Sequence, residues 1–421
     1  MQLRNHRSVL ESSQYLEGVE QISNSPGAAD IHSTDLWATL SDRLGVLQMV
    51  SDLGPNGPAR AAVDTAVGVV AAGGRAVVVS GGGRLVADLL RCGATHIGMQ
   101  LAGENALGRW TNARRLVKLI REHRISIIHA HSPAVAGLAR KLGQETGVFY
   151  TLTCHSLYPP ETFADLRRAG VLEGAKRVIA VSDTVAEHLT GQQRPAGGRP
   201  LVISPGIDLT RFDPTRVSAE RIIHLAQSWR LPDGPPVVML PGRLASSRGQ
   251  RALIEALGLM RQRDLHCVFA AEAPANPGYT QELAAHARQH GIEGRLLVGD
   301  DCRDMPAAYM LADVVVYARA DGTGFARVVA EAQAMGRPVV AYDSPLLREQ
   351  TSESRMTWLV PPQDRGALAQ AIGEALDLTA AERQALAPEA SAIARRRYNR
   401  ATSAAAMIEV FLDLLMDAKA A

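Results

Sequence analysis

Short, continuous apolar runs alternate along this chain with longer segments whose apolar residues recur at helical spacing. In the first half, the apolar runs predict strands at 45–50, 75–80, 96–99, 125–129, 148–153, 177–181 and 201–204. Helical segments, such as 59–72 and 107–123, separate most of these runs. Runs that are apolar throughout are typical of strands buried on both faces, so the pattern predicts a parallel sheet covered by helices.

The same alternation begins again after residues 208–217 and 230–236, which are rich in Pro, Asp and Arg. The second set of strands is predicted at 237–240, 266–270, 295–299, 313–317 and 356–360, with one more run after Pro338. We therefore predict an α/β protein of two Rossmann-like, doubly wound domains that face each other across a cleft, where ligands bind. The predicted divisions are a poorly ordered extension (1–42), domains at 43–215 and 216–400, and a C-terminal helix (401–421) that packs back on the first domain.

One stretch, Asp321 to Ala341, combines the features of an anion site. A strand leads into a loop with two glycines, a helix is predicted from about Phe325 to Met335, and Gly336 ends it before the next strand. The free N–H groups and the positive dipole end of such a helix favour a negatively charged ligand. Glu331 lies about two turns into this helix.

Composition and charge exclude several classes of protein. The 46% apolar and 21% charged residues are ordinary for a soluble globular protein, and a net charge of +2 argues against a nucleic-acid partner. The four cysteines form no CxxC pair, which argues against structural zinc and a disulfide framework and is consistent with a reducing cytoplasm. The chain has no apolar run of transmembrane length and no signal-peptide core at its start, so we expect a soluble, cytoplasmic protein.

Two loops are candidate phosphate sites. Arg243 directly follows a predicted strand and Arg248 opens the next helix, so two guanidinium groups surround one helix N-terminus. Guanidinium groups suit phosphate oxygens, but a solvated basic loop would show the same spacing. In the first domain, Asn56 and Gly57 follow the first strand, where glycine would let the backbone approach a ligand, although a plain turn is the simpler interpretation.

Several motifs together resemble the retaining glycosyltransferases of the GT-B fold, in the family 4 group. The first is GRLASSRGQRALIEA (Gly242–Ala256), which is similar to the family's GR-L-x-x-x-K-G element. Further elements that resemble the family are YTLTCHS (150–156), VIAVSDTVAEHL (178–189), VISPGIDLTRFDP (202–214), MPAAYMLADVVVYA (305–318), GFARVVAEAQAMGRPVVA (324–341) and WLVPPQD (358–364). The resemblance extends over most of the chain, from about Leu47 to Leu415, and points to bacterial enzymes that build lipopolysaccharide or capsule sugars.

The resemblance implies a role for each matching residue. Arg243 and Arg248 would bind the donor diphosphate, with Arg248 at the position where lysine is usual. Glu331 would accept hydrogen bonds from the ribose hydroxyls, although an acid on a helix is also common as a solvated side chain. His155 would contact the donor sugar, although a lone histidine after a strand is often structural.

The backbone of the glycine loop would hold the other end of the donor. The resemblance implies that amides of Gly324, Phe325 and Ala326 cradle the distal phosphate and the sugar. It places the base in the loop after Gly299, near residues 301–304. No metal or other cofactor is expected, because arginines and a helix N-terminus would neutralise the leaving diphosphate.

The sequence departs from the family at two places. The first glutamate of the family's E-x7-E pair is replaced by Thr323, and the nearest acid is Asp321, two residues earlier. Either Asp321 takes over the work of that carboxylate or the function is absent. In the first domain, the usual Gly-Gly-x-Glu-Arg reads Asn56-Gly57-Pro58-Ala59-Arg60, which keeps only Gly57 and Arg60.

The implied reaction is metal-independent transfer of a hexosyl group from a nucleoside-diphosphate sugar to a hydroxyl of a saccharide or lipid-linked saccharide, with retention. One alternative is a degenerate relative that binds a nucleotide sugar or a partner protein without turnover. Another is a different GT-B chemistry, such as epimerisation of a nucleotide sugar.

The segment 108–124 is a candidate membrane contact. It carries six Arg and Lys residues against one acid, and Trp110, Ala113, Val117 and Ile120 recur at helical spacing. A basic amphipathic helix suits anionic lipid on the inner membrane face, whereas a helix that covers a Rossmann sheet would show the same pattern.

Overall fold

The computed structural model describes residues 43–101, 106–192, 197–272, 276–299, 301–319 and 324–420 of the 421-residue chain. The chain folds as two units. The first unit consists of two segments, the residues up to Gly206 and those from Arg400 onward, and the second unit is Ile207–Asn399.

Parallel strands form the sheet of the first unit, in the order β3-β2-β1-β4-β5-β6-β7. These strands are β1 (Gly45–Met49), β2 (Arg75–Ser80), β3 (Thr95–Gly98), β4 (Ile127–Ala130), β5 (Phe149–Cys154), β6 (Arg177–Ala180) and β7 (Leu201–Val202). The helices among them are α1 (Gly57–Ala71), α2 (Val86–Arg91), α3 (Ala106–Glu122), α4 (Pro133–Thr146), α5 (Pro160–Arg168) and α6 (Asp183–Gln192).

The second unit repeats this architecture with a parallel sheet in the order β10-β9-β8-β11-β12-β13. Its strands are β8 (Val237–Pro241), β9 (His266–Ala270), β10 (Leu296–Gly299), β11 (Val314–Tyr317), β12 (Val339–Tyr342) and β13 (Thr357–Val360). Its helices are α7 (Ala219–Ser228), α8 (Gln250–Leu259), α9 (Pro277–Gln289), α10 (Met305–Leu311), α11 (Arg327–Ala334), α12 (Pro345–Thr351), α13 (Arg365–Leu376) and α14 (Ala380–Arg397).

Successive residues of the central strands bury their side chains in two separate apolar clusters. Met239 and Val315 belong to one cluster, and Val238 and Val316 belong to the other. Since neighbouring residues of a strand point to opposite faces, helices cover both faces of this sheet. The predicted α/β class with two Rossmann-like, doubly wound domains is therefore confirmed.

The last helix, α15 (Arg400–Ala420), packs on α1 and completes the first unit. Phe411 and Ile408 are buried in the apolar cluster that α1 shares with β1 and β2. Gly68 of α1 lies so close to α15 that an added Cβ would be 3.2 Å from the Cβ of Ala404.

The structure differs from the predicted elements in the helices that separate the outer strands. Helices α5, α6, α10 and α12 were not predicted as separate elements. Three of them have a proline in their first turn, where the missing N–H costs nothing although the residue resembles a chain break in sequence. The extension 1–42 lies outside the described residues. The units divide between Gly206 and Ile207, rather than after residue 215.

The order of each sheet reverses between two neighbouring strands. In the first unit the reversal lies between β1 and β4, and in the second between β8 and β11. Loops that leave the carboxyl ends of such a strand pair diverge and form the usual ligand crevice of an open α/β sheet. The candidate residues Asn56, His155, Arg243 and Gly324 all lie on segments that follow β1, β5, β8 or β11.

Candidate functional site

The loop after β8 holds both predicted phosphate-binding arginines. The backbone turns at Gly242, with a φ of 115°, and again at Gly249, with a φ of 89°, on either side of a 3-10 turn at Ser246–Arg248. A Cβ at Gly249 would lie 2.2 Å from the carbonyl oxygen of Ala318, directly after β11. Only glycine fits there, so the loop that carries Arg248 is held against the end of the neighbouring strand.

A buried glutamine fixes the other side of this loop. Gln250, at the start of α8, donates its Nε2–H to the carbonyl oxygen of Arg243 at 3.2 Å and accepts the hydroxyl of Tyr279 at 3.4 Å. The Arg243 side chain is exposed and that of Arg248 is partly buried. Sequence reasoning missed Gln250, because a polar residue at a helix start usually faces solvent.

The loop before α11 is positioned by Gln350, from the neighbouring helix α12. The buried side-chain amide of Gln350 accepts the N–H of Ala326 at 3.1 Å and donates to the carbonyl oxygen of Ala326 at 2.9 Å. Tyr398 donates its hydroxyl to the backbone oxygen of Gln350 at 2.8 Å. The predicted role of the Ala326 amide is therefore corrected, because that N–H is already bonded within the protein.

The remaining residues of the predicted phosphate loop divide into two groups. Gly324 and Phe325 are described, and the Phe325 ring lies 5.3 Å from the ring of Tyr398, centroid to centroid. Asp321 and Thr323, on which the choice between a displaced and a missing carboxylate depends, lie outside the described residues.

Glu331 lies in the second turn of α11 and is partly buried. Its Oε2 accepts the hydroxyl of the buried Tyr309 at 2.9 Å. Burial raises the pKa of Glu331 to about 7; Arg327 acts in the opposite direction, and Glu272 adds to the rise. Glu331 is thus not a solvated helix acid. It is a carboxyl group held among polar and charged side chains at the carboxyl end of the sheet.

Arg211 and Glu272 form the charged surroundings of Glu331. Arg211 donates to Glu272 at 2.8 Å, and its positive charge lowers the pKa of Glu331. Glu272 closely follows β9, and Arg211 lies in the first segment of the second unit. Neither residue was singled out from sequence, because an isolated acid after a strand has no distinctive spacing.

The loop predicted to receive the base is partly used by the fold itself. Asp304 accepts two hydrogen bonds from Arg221, at 2.8 and 2.6 Å, and one from the N–H of Ala307 at the start of α10. Cys302 is buried, and its N–H donates to the carbonyl oxygen of Ala271 at 2.7 Å. The side chain of Asp304 is therefore a helix cap and an ion-pair partner.

In the first unit, His155 directly follows β5 and is hydrogen-bonded to a second histidine. Its Nε2 lies 3.3 Å from Nδ1 of His131, which follows β4. Burial lowers the pKa of His155 to about 4, and it also lowers the pKa of His131 well below the usual value. Both imidazoles are therefore neutral at physiological pH.

Asn56 and Gly57 form the start of α1. The Oδ1 of Asn56 accepts the N–H of Ala59 at 2.9 Å, and its Nδ2 donates to Asp52 at the same distance. Asn56 is thus the N-cap of α1, which supports the structural interpretation of this residue. Gly57 is exposed, and a Cβ there would meet nothing within 4 Å, so its backbone is open to close approach.

Among the described residues, the structure has neither a metal-binding cluster nor a membrane-spanning helix. In the part of the chain that the structure describes, no group of three or more His, Cys, Asp or Glu side chains is arranged to hold a metal ion. Among the same residues, no helix combines the length and the apolar character that crossing a bilayer requires.

Comparison with known proteins gives a family model for each half of the chain. Residues 55–211 match the model "Glycosyltransferase Family 4", and residues 235–377 match "Glycosyl transferases group 1". A D-inositol 3-phosphate glycosyltransferase of Xylanimonas cellulosilytica is 32% identical over 252 residues, which are 58% of this chain and 60% of that protein. The matches to the first three curated relatives cover only 55–60% of the length of those proteins.

Solved structures share the fold over nearly the whole chain. A glycosyltransferase from Rickettsia africae has a TM-score of 0.79 at 23% identity, and covers 88% of this chain and 98% of its own. Anabaena HepE in complex with UDP-glucose has a TM-score of 0.75 at 22% identity, with 87% and 99% covered. The chain thus has the GT-B fold, with a match to the family 4 glycosyltransferase model in its first half and a match to the group 1 model in its second half.

Proposed function

We propose that this protein transfers a hexosyl group from a nucleoside-diphosphate sugar to an acceptor hydroxyl, with retention of configuration and without a metal ion. The observation that carries the proposal is the loop of Arg243 and Arg248. It is locked against the end of β11 by Gly249, on the sheet edge where α11 also starts. Two guanidinium groups beside a helix N-terminus supply the positive charge that a leaving diphosphate needs.

Glu331 would hold the ribose end of the donor. The Glu331 carboxyl, with Tyr309 as a fixed partner, offers oxygen acceptors to the ribose hydroxyls. In the first unit, the neutral imidazole of His155 would contact a sugar substrate. In the reaction, the acceptor hydroxyl would attack on the face that the diphosphate leaves, and the departing phosphate oxygen would take its proton. The C–O bond to phosphate breaks as the new glycosidic C–O bond forms.

The acceptor class is proposed from two directions. The motifs resemble enzymes of lipopolysaccharide and capsule synthesis, which favours a saccharide or a lipid-linked saccharide. The relative at 32% identity is named as a D-inositol 3-phosphate glycosyltransferase, which favours a phosphorylated cyclitol as the second class. The two classes can be separated by offering both acceptors with the same donor and identifying the product by mass.

A nucleotide panel tests the donor side of the proposal. UDP, GDP and ADP are each added at 1000 times an expected Kd, where a ligand that binds only the folded state stabilises it by about 4 kcal/mol. One nucleotide should raise the melting temperature, and its sugar conjugates should then be turned over. Stabilisation without turnover of any conjugate would favour the degenerate, binding-only alternative. In the active case, Asp321→Asn should lower the rate while donor binding persists; an unchanged rate would exclude Asp321 as a displaced catalytic group.

We also propose that α3 binds peripherally to the anionic inner face of a cytoplasmic membrane. Arg115, Lys118 and Arg121 are exposed on this helix, whereas Leu116 and Ile120 are buried against the fold. Because the apolar face is already covered, the contact would be electrostatic, at about 1 kcal/mol per basic residue near the surface. Co-sedimentation with phosphatidylserine vesicles should therefore fall with salt and with Arg114→Glu/Arg115→Glu. If the double variant co-sediments as well as the wild-type protein, α3 is not the membrane-binding element.

A further inference from the structure

A series of three hydrogen bonds, two of them buried and the last partly buried, crosses the first sheet beneath His155. It runs from α1 through Gln48 of β1 and His131, after β4, to His155, after β5. These three strands are neighbours in the sheet, so the series of hydrogen bonds lies along the carboxyl edge of the sheet. Gln48 is fully buried and His131 is 1% exposed. Buried polar side chains at such a position need a reason, since an apolar residue would pack there without hydrogen-bond requirements.

The direction of each hydrogen bond follows from the first one. Gln48 Nε2 lies 2.9 Å from the backbone oxygen of Ala62, which can only accept a hydrogen bond, so the Gln48 amide is oriented with its oxygen away from α1. That oxygen lies 2.8 Å from Nε2 of His131. An amide oxygen can only accept, so His131 carries its proton on Nε2. Because burial keeps His131 neutral, its Nδ1 is then an acceptor.

The tautomer of His155 follows in the same way. Nδ1 of His131 lies 3.3 Å from Nε2 of His155, so His155 must donate from Nε2. The ring planes are inclined by only 27°, and the centroids are 5.6 Å apart. The rings therefore meet edge to edge, with the N–H and the lone pair both close to the ring planes. The second nitrogen of His155, Nδ1, has no hydrogen-bond partner among the described residues.

His129 takes no part in this series of hydrogen bonds, although its ring lies 4.5 Å from that of His131. Both of its nitrogens are used by threonine hydroxyls, Nδ1 by Thr151 at 2.7 Å and Nε2 by Thr153 at 3.0 Å. A proton on His129 or His155 would repel one on His131, so the three rings stabilise one another in the neutral state.

We propose that Gln48 and His131 are positioning residues that hold His155 as the neutral Nε2–H tautomer and thereby leave its Nδ1 as a hydrogen-bond acceptor. The assignment of the bonding partner rests on the proposed function: Nδ1 accepts a hydroxyl group of a sugar substrate. A sugar bearing a hydroxyl at that point is then preferred over its deoxy or fluoro analogue, because neither analogue can donate a hydrogen bond there. When such an analogue binds, it offers no hydrogen-bond donor to Nδ1 of His155, and that nitrogen is left unsatisfied.

Heteronuclear NMR on full-length protein labelled in its histidines tests the tautomer directly, with His155→Gln to assign the signals. The expected spectrum has His155 protonated at Nε2, with a slowly exchanging proton, and unprotonated at Nδ1. In His131→Phe this proton should exchange rapidly with solvent, whereas His131→Asn, whose amide oxygen can replace Nδ1 as the acceptor, should restore its protection. A His155 protonated at Nδ1, or an unchanged His155 signal in His131→Phe, would overturn the proposal.

Kinetics separate positioning from mere support of the fold. His131→Phe should lower kcat/KM about tenfold, the size of one hydrogen bond, and His131→Asn should recover most of it. Thr153→Val is the matched control, because it breaks a buried hydrogen bond to His129 and leaves the hydrogen bonds from Gln48 through His131 to His155 intact. An equal loss of kcat/KM in Thr153→Val and His131→Phe would show that His131 only supports the fold.

Two further arrangements keep the outcomes distinct. If His131→Phe unfolds the protein because Gln48 is left unpaired, the double variant Gln48→Met/His131→Phe removes both polar groups and gives the same test. If the wild-type protein turns over no nucleotide sugar, the proposed function fails, and the NMR result alone decides whether Gln48 and His131 fix the tautomer.

Discussion

Replacing Glu331 with glutamine should stabilise the second unit at alkaline pH while weakening its ligand site. Burial raises the pKa of Glu331 from its usual 4.5 to about 7. Since the folded-state pKa lies above the unfolded one, the folded protein binds more protons between these values. The contribution of this carboxyl to stability therefore falls as the pH rises from 4.5 to 7, and it stays low above pH 7.

The size of the effect follows from the same values. A rise from 4.5 to about 7 corresponds to about 3 kcal/mol, at about 1.4 kcal/mol per pKa unit. Glu331 is only partly buried, and solvent screening reduces this to about 1–2 kcal/mol. Glutamine keeps an oxygen that accepts the Tyr309 hydroxyl. At pH 8, Glu331→Gln should thus raise the melting temperature of the second unit by about 2–8 °C.

Calorimetry at pH 5 and pH 8 measures this gain in melting temperature. The gain should be small at pH 5, where the Glu331 carboxyl of the folded wild-type protein is mostly protonated and therefore as neutral as the glutamine amide. Glu374→Gln, on the exposed face of α13, is the control and should change little at either pH. The variant should also bind the cognate nucleotide about tenfold more weakly, since a hydrogen bond to a charged acceptor is lost. A variant that is equally stabilised at both pH values, or not at all, would refute the electrostatic reasoning.

The other predictions concern the loops around the two arginines and α11. Arg243→Ala should abolish the nucleotide-induced rise in melting temperature, whereas Arg263→Ala, whose partner is Asp377 on the surface, should retain it. Gly249→Ala should lower the free energy of unfolding by about 2–4 kcal/mol in urea titrations, because its φ is 89° and its Cβ would collide with Ala318; Gly291→Ala, with a φ of 72° and open space, should cost only about 1 kcal/mol. Gln350→Leu should cost about 2–4 kcal/mol and raise the KM for the donor, because both backbone groups of Ala326 lose their partner; Gln370→Leu, on an exposed helix face, should do neither.

The periodic pattern was sufficient to predict the architecture, since continuous apolar runs identify buried parallel strands wherever they occur. It was insufficient for short helices such as α5, whose first turn contains Pro160, and α10, whose first turn contains Pro306. Proline and glycine break a pattern in the same way whether the chain turns or begins a helix, so only tertiary packing distinguishes the two.

At the site, sequence motifs predict which residues a ligand would meet, but they do not reveal the side chains that hold those residues in place. Arg243 and Glu331 were recognised from their motifs, whereas Gln250 and Gln350 act through backbone bonds that leave no spacing signal. His131 was missed for the same reason: its partners Gln48 and His155 come from other strands. The bonding of Ala326 could be seen only once α12 was placed beside the loop.

The packing of α15 on α1 has a consequence for how this protein is made. Ile408 and Phe411 cover an apolar face of the first unit, yet the 193 residues of Ile207–Asn399 separate them from the rest of that unit. At about 5–20 residues per second, the ribosome needs about 10–40 s to make this insert. During that time the apolar face of α1 is not yet covered by α15, so the nascent first unit exposes apolar surface until its last helix is made. The second unit, which is continuous in sequence, can complete its fold before the first unit does.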